Sequence, residues 1–151
     1  MELAIVKAQA EVKNINIRTE NNGDEKVLAV DVTLLADVSS KEIEPLFENG
    51  PQTIASMFDK GGNVLNSLFE MVILIPIENI EFTLDDLKAY KGGKVKKNIR
   101  LRPRDGFRFT AKLMVQLSDV TDVRPLVSRL HSEVKLSIFE RQTTLALQSV
   151  G

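Results

Sequence analysis

The sequence predicts an α+β fold in which a mostly antiparallel sheet carries short helices on one face. Three observations favour this fold. Apolar and polar residues alternate along several segments, Gly and Asn turns separate these segments, and Pro interrupts the stretches of helical character. With 151 residues, of which 43% are hydrophobic, the chain fits a single domain over 1–151.

The first two strands are predicted on either side of "ENNGDE" (20–25). Ile15 and Ile17 alternate with polar residues before this segment. After it, the alternating apolar residues are Leu28, Val30, Val32 and Leu34. Two runs of period two around an Asn-Gly turn are typical of a β-hairpin with one solvated face.

Two short helices are expected next. Ser39 and Glu42 have the spacing of a capping box, and Pro45 limits the helix that they begin. Pro51 lies in the first turn of the second helix, which we expect to end at Gly61-Gly62.

Further strands are predicted in the middle of the chain. The segment 70–76 is almost entirely apolar and rich in branched side chains, which indicates a buried central strand. Residues 80–84 form a second candidate strand, and 85–90 are expected to make one helical turn.

Residues 99–102 and 107–117 are predicted to form another hairpin, closed by Arg104-Asp105-Gly106 with glycine in the left-handed conformation. Its apolar face consists of Ile99, Leu101, Phe107, Phe109, Ala111, Leu113, Val115 and Leu117. This register pairs Pro103 with Phe107, Leu101 with Phe109, Arg102 with Arg108, Arg100 with Thr110, and Asn98 with Lys112.

The second half of the chain resembles the first, which suggests a duplicated strand-strand-helix-strand unit spanning 8–78 and 94–140. "KNINIR" (13–18) recurs as "KNIRLR" (97–102), "IEPL" (43–46) as "VRPL" (123–126), and "EMVILIPIE" (70–78) as "EVKLSIFE" (133–140). A one-residue bulge is needed to keep the apolar faces of the two copies in register.

Positive charge is concentrated in one part of the chain. Residues 88–112 contain ten Lys or Arg residues and one acid, Asp105, whereas the whole chain has a net charge of -1. The segment therefore carries +9 and the remainder -10. Such a separation is informative about partners rather than about fold.

The polar face of the 99–117 hairpin would present several cations side by side. Like charges opposite one another destabilise a sheet, so this face suggests a polyanionic partner, with Tyr90 free to stack on a base. The candidate nucleic-acid-binding residues are Tyr90, Lys94, Lys96, Lys97, Arg100, Arg102, Arg104, Arg108 and Lys112. A solvated strand face with lysines protecting a sheet edge would have the same composition.

Catalytic patterns are nearly absent from the sequence. The chain has no Cys and one His, His131, which fits the C-terminal end of a helix. A nuclease using Asp85 or Asp86 as metal ligands is a minor alternative. We therefore expect no enzymatic activity, no cofactor and no metal site.

No secretory signal or membrane-spanning stretch is evident, since the most apolar run, 64–77, contains Asn66 and Glu70. We expect a soluble, cytoplasmic protein.

Two segments, "FRFTAKLMVQLSDVTDVRPLVSRLHSEVKLSIFE" (107–140) and "AEVKNINIRTENNGDEKVLAVDVTL" (10–34), resemble small proteins encoded by tailed phages and prophages. The resemblance implies a phage origin and a role near replication and recombination, or in countering host defence. It places the protein in the cytoplasm of the host cell.

Two functional hypotheses follow. In the first, the protein is an accessory factor that binds nucleic acid, with single-stranded DNA favoured over RNA, through the basic hairpin face. In the second, it is a protein-interaction factor, such as an inhibitor of a host defence complex, and the charge separation serves complementarity with a protein partner. The acidic remainder of the chain is also suited to meeting the basic strip of a neighbouring subunit in a homo-oligomer.

Overall fold

A computed structural model describes residues 2–85 and 87–141 of the chain. Of these residues, 54% lie in strands and 15% in helices, and the sheet closes into a six-stranded antiparallel barrel. The predicted α+β class is therefore wrong. Each α-helix has only four to six residues, too few to cover a sheet face, and the apolar faces of the strands pack against one another inside the barrel instead.

Eight strands and three short α-helices make up the described chain. The strands are β1 (Ala4–Asn22), β2 (Glu25–Val38), β3 (Met71–Ile73), β4 (Ile77–Leu84), β5 (Tyr90–Val95), β6 (Ile99–Arg104), β7 (Gly106–Leu117) and β8 (Glu133–Glu140). The helices are α1 (Ser40–Ile43), α2 (Gly50–Ala55) and α3 (Arg124–Val127), with 3-10 turns at Glu44–Leu46 and Val120–Val123.

The barrel is a closed ring in which the strands follow the order β2, β1, β8, β4, β5 and β7, with β7 pairing back onto β2. Strand β7 pairs with β2 along 107–117 on one edge. On its other edge it pairs with β5 at 113–114 and with β6 at 106–110. Strand β6 therefore branches from the ring, and β3 pairs with β6 as the outermost strand.

Alternating side chains of the barrel strands fill the interior. All eight residues of the predicted apolar face of the 99–117 hairpin are buried, which confirms the parity assigned to it. Leu28 is only partly buried, whereas Val30, Val32 and Leu34 of the facing strand β2 are fully buried. Burying a side chain of this size contributes about 1.5–3 kcal/mol, so these two strands form much of the core.

Both predicted hairpins are formed. Strands β1 and β2 join through Gly23-Asp24, and Gly23 has the positive φ of 68° that this turn requires. In the second hairpin the four predicted pairs from Arg100-Thr110 to Pro103-Phe107 are confirmed. The fifth pair is wrong, because Asn98 lies in a turn with a φ of 70° and the Lys112 carbonyl accepts a hydrogen bond from the Lys96 N–H.

The short helices begin where the sequence places them. The Ser39 hydroxyl accepts from the Glu42 N–H at 3.1 Å and the Glu42 carboxylate accepts from the Ser39 N–H at 3.0 Å, so the capping box is confirmed. Helix α2 ends at Ala55, earlier than predicted. Residues 87–90 lead into β5 without the predicted helical turn, and Asp86 lies outside the described residues.

The prediction of a buried central strand at 70–76 is wrong. Only Met71–Ile73 form a strand, and that strand is the outermost one of the branch. Leu74 and Ile75 are 66% and 73% exposed. The barrel ring closes without this segment, and only Met71 and Ile73 of its apolar side chains are partly buried against the core.

The strand pairing keeps its pattern when the two halves of the chain are exchanged. In the first half β1 pairs with β2 and β8, and in the second half β5 and β6 take the place of β1 and pair with β7 and β4. The two halves are joined by the pairing of β2 with β7 and of β4 with β8. In this pattern β4, rather than 70–78, takes the place of β8. The duplication itself stays a prediction.

Among the described residues, no helix has the length and apolar character needed to cross a membrane.

Candidate nucleic-acid interface

The β6–β7 hairpin holds a row of cations on its outer face because the side chains of its inner face are buried in the core. Ile99, Leu101 and Phe109 are fully buried, so the residues between them point outward. We call the outward cations of this hairpin the basic face: Arg100, Arg102, Arg104, Arg108 and Lys112. Alternate residues on a strand lie about 6.6 Å apart, which gives Arg100, Arg102 and Arg104 a row roughly 13 Å long.

Two carboxylates partly neutralise the basic face. Glu70, just before β3, lies 3.1 Å from Nη1 of Arg100 and 3.5 Å from Nη2 of Arg102. Asp37, at the end of β2, lies 3.5 Å from Nε of Arg108. The arginine side chains are 39–58% exposed, and ion pairs this exposed contribute only about 0–1 kcal/mol. A phosphate can therefore compete for the same guanidinium groups.

The arginines line two adjoining pockets, which we call the arginine groove. One, of about 230 Å³, is bounded by Glu70, Arg100, Arg102 and Arg108. The other, of about 420 Å³, is bounded by Arg102, Arg104, Arg108 and Ser67. Arg102 and Arg108 line both pockets, so the two pockets adjoin. Within the described chain, Nε of Arg108 is buried and makes no hydrogen bond, and Oδ1 of Asp37 lies 3.5 Å from it.

The lysines among the predicted residues differ in exposure. Lys112 is exposed on β7, and Lys97 is exposed in the turn between β5 and β6. Lys94 is half-buried on β5, opposite Met114. Among the described residues, no carboxylate oxygen lies within ion-pair distance of Lys94, Lys97, Arg104 or Lys112.

Tyr90 does not have the predicted stacking role. Its ring is buried and stacks on Phe82 with a centroid distance of 5.2 Å and an interplanar angle of 20°. Its hydroxyl donates a hydrogen bond of 2.8 Å to the Asp122 carbonyl. Burial and, secondarily, the Asp122 charge raise the pKa of Tyr90. This tyrosine is a core residue, because its position on β5 directs it into the barrel.

Lys96 is held in an internal ion pair rather than left free for a phosphate. Its Nζ lies 3.1 Å from Oδ1 of Asp31, a buried carboxylate on the outer side of β2. Arg18 donates two further hydrogen bonds to Asp31, of 3.1 and 3.2 Å. Burial alone would raise the pKa of Asp31, but the hydrogen bonds from Arg18 and Lys96 outweigh it and lower the pKa.

Sequence patterns gave no indication that the segment 64–70 lies beside the basic face. Val64 pairs with Phe58 in an isolated β-bridge, and the Leu65 N–H donates to the Met57 carbonyl at 3.0 Å. Phe58 in turn packs edge-to-face on Phe107 of β7, with ring centroids 5.9 Å apart. Asn66 and Glu70 interrupt the apolar run 64–77, and that interruption was the available signal against a buried strand.

The carboxylates considered for a nuclease site have structural roles where they can be described. The Asp85 carboxylate accepts the Lys135 N–H at 2.9 Å and lies 3.1 Å from Nε of Arg129. Asp86 lies outside the described residues. In the part of the chain that the structure describes, no three His, Asp or Glu side chains are grouped so that they could hold a metal ion.

Comparison of the chain with protein-family models, with curated proteins and with solved structures gives no match. The resemblance to phage proteins therefore stays a prediction.

Proposed function

We propose that this protein binds nucleic acid, preferentially single-stranded DNA, through the basic face. The observation that carries the proposal is the surplus of positive charge on the basic face, where four arginines and Lys112 lie near three carboxylates, Glu70, Asp37 and Asp105. Guanidinium groups bind phosphates through paired, charge-assisted hydrogen bonds, which suits a row of arginines to a phosphate backbone.

Electrostatic repulsion within the basic face, which destabilises the sheet, supports this proposal. Arg102 and Arg108 lie directly opposite each other on neighbouring strands, an arrangement that is unfavourable for sheet stability. An anionic ligand between them would remove this repulsion.

The proposed setting is a phage accessory protein acting in replication or recombination in the host cytoplasm. This setting is supported by the sequence resemblance alone.

A protein-interaction role is the second candidate, and the exposed apolar segment favours it. Val72 is exposed on the outermost strand β3, and Leu74 and Ile75 are exposed just after it. An exposed strand of this kind can pair with a strand of a partner.

Fluorescence anisotropy with labelled single-stranded DNA, double-stranded DNA and single-stranded RNA, each at a low and a higher salt concentration, tests the proposal. We expect tightest binding to single-stranded DNA and a log-log salt slope of about -0.7 per phosphate contact. Lack of binding to all three probes at low salt would overturn the nucleic-acid proposal and leave the protein-interaction role. Tighter binding to duplex would overturn the strand preference.

A further inference from the structure

An apolar pocket of about 280 Å³ opens beside the arginine groove. Its walls include Met57, Leu65, Phe69, Met71 and Pro103, and its polar lining atoms come from Thr53, Ser56 and Asn66. Pro103 also lines the arginine groove, and its sequence neighbours Arg102 and Arg104 bound that groove. An apolar cavity and a set of phosphate-binding cations therefore meet at one residue.

We propose that this apolar pocket receives one unstacked base of the bound strand while Arg102 and Arg104 hold the adjoining phosphates. The inference rests on the proposed function and makes it more specific, because it assigns the preference for a single strand to a base-binding pocket. In a duplex, a base can reach such a pocket only if it leaves the stack, at a cost of a few kcal/mol.

The pocket walls suit a base. Phe69 offers an aromatic surface, and Met57 and Met71 offer polarizable thioethers that pack well against flat rings. The volume is slightly below the roughly 300 Å³ at which pockets for drug-sized ligands begin, which fits one base rather than a stacked pair. Leu65 and Phe69 are 64% and 42% exposed, and a bound base would cover part of this surface.

The polar groups in the pocket lining provide both hydrogen-bonding functions that a base edge needs. Oδ1 of Asn66 accepts from the Leu68 N–H at 2.9 Å, so the amide nitrogen remains a donor. The Ser56 hydroxyl donates to the Thr53 carbonyl at 2.6 Å, so its oxygen remains an acceptor.

Hydrogen bonds fix the turn that leads into one wall of the pocket. The Asp59 carboxylate accepts the Asn63 and Gly61 N–H groups at 2.9 Å each, and these hydrogen bonds lower its pKa. They close the turn that precedes 64–70. A wall fixed in this way reduces the ordering cost of binding.

The test compares oligodeoxythymidylate with an oligomer of the same length that lacks all bases but keeps every phosphate. The parent protein should bind the intact oligomer roughly 5- to 100-fold more tightly, the difference expected for one stacked base. Equal binding of the two oligomers would overturn the pocket inference and leave the proposed function standing. Binding of neither oligomer at low salt would overturn both.

Two pocket variants sharpen the test. Ser56→Trp fills the cavity from an exposed position, and Phe69→Ala removes the aromatic wall. Both should reduce affinity for the intact oligomer towards that for the abasic one, with the salt slope unchanged because no phosphate contact is lost. The control is Leu68→Ala, a highly exposed neighbour that does not line the pocket.

Unchanged affinity of both pocket variants for the intact oligomer would overturn the inference. The same would follow if both lost affinity for the intact and the abasic oligomers equally. Thermal unfolding of each variant verifies that the fold is retained.

Discussion

The two hairpins β1–β2 and β6–β7 have similar inner faces and different outer faces. On β1–β2, the cations pair with carboxylates of the same hairpin: Arg18 contacts Asp31 and Glu20, and Lys13 lies 3.4 Å from Glu11. Asp31 also pairs with Lys96, which lies outside this hairpin. On β6–β7, the only partners that the described chain provides, Glu70 and Asp37, come from other segments. The surplus of positive charge on β6–β7 is the difference between the two hairpins that the proposed nucleic-acid ligand would explain.

The largest expected effect is the loss of single-stranded DNA binding when the charge of the basic face is removed. Replacing Arg100, Arg102, Arg108 and Lys112 with Ala should weaken binding at low salt by about 100-fold or more and reduce the magnitude of the log-log salt slope by roughly 3, at about 0.7 per contact. Anisotropy titrations over a salt series measure both. All four side chains point away from the core, so the fold should be retained.

The matched control removes four charges near the other hairpin, at Lys7, Lys13, Lys26 and Lys41. Its DNA affinity and salt slope should stay close to those of the parent. If both quadruple variants lose affinity equally, binding depends on net charge and the assignment to the basic face is wrong. An unchanged melting temperature of the first variant separates a lost contact from misfolding.

The next largest effect is the difference in stability lost when a buried or an exposed charge pair is removed. Asp31→Ala should lower the free energy of unfolding by about 2 kcal/mol, because it removes a buried acceptor of three charged hydrogen bonds from Arg18 and Lys96. Asp37→Ala, in an exposed pair with Arg108, should cost less than about 1 kcal/mol. Urea unfolding measures both, and equal losses would contradict the distinction drawn between the two outer faces.

A smaller effect of opposite sign is expected at Glu70. Glu70→Gln removes the carboxylate that Arg100 and Arg102 share, so DNA affinity should rise by about threefold to fivefold at low salt, the gain expected from an exposed ion pair. Glu81→Gln, whose carboxylate pairs with Arg141 away from the basic face, is the control and should leave affinity unchanged. Weaker binding by Glu70→Gln would mean that Glu70 positions the arginines rather than competing with the phosphates.

Local patterns in the sequence were sufficient to predict both hairpins, four of the five residue pairs proposed for β6–β7, and the capping box. Period-two alternation determines which residues of 99–117 face the core, and Gly106 and Gly23 mark the turns. The outward direction of Arg100, Arg102 and Arg108 followed from the same parity. These features depend on neighbours within a few residues, so a single sequence contains them.

Closure of the barrel could not be predicted from those patterns. Closure depends on the pairing of β2 with β7, whose paired residues are about eighty positions apart. A pairing between such distant residues produces no local sequence pattern. The same pairing excludes 70–76 from the interior. Tyr90 was misassigned for a different reason: it pairs with Phe82 on the neighbouring strand β4, and this strand pairing was not predicted. The ion pair of Lys96 with Asp31, by contrast, joins residues that become neighbours only when the sheet closes.

The smallest expected effect is a change in the pH dependence of stability at Asp31. Its folded-state pKa is lowered, so the unfolded chain takes up the proton more readily than the folded one. The stability that the carboxylate contributes is therefore complete above the unfolded pKa of about 3.9 and is lost as the pH falls through the lower folded value. The difference in unfolding free energy between the parent and Asp31→Asn should be constant from about pH 7 to about pH 5 and should shrink below about pH 4. Urea unfolding of both proteins across this range measures it, and the other carboxylates cancel in the difference. A gap that instead widens as the pH falls from about 6 would show that the folded-state pKa is raised, so that burial outweighs the hydrogen bonds from Arg18 and Lys96.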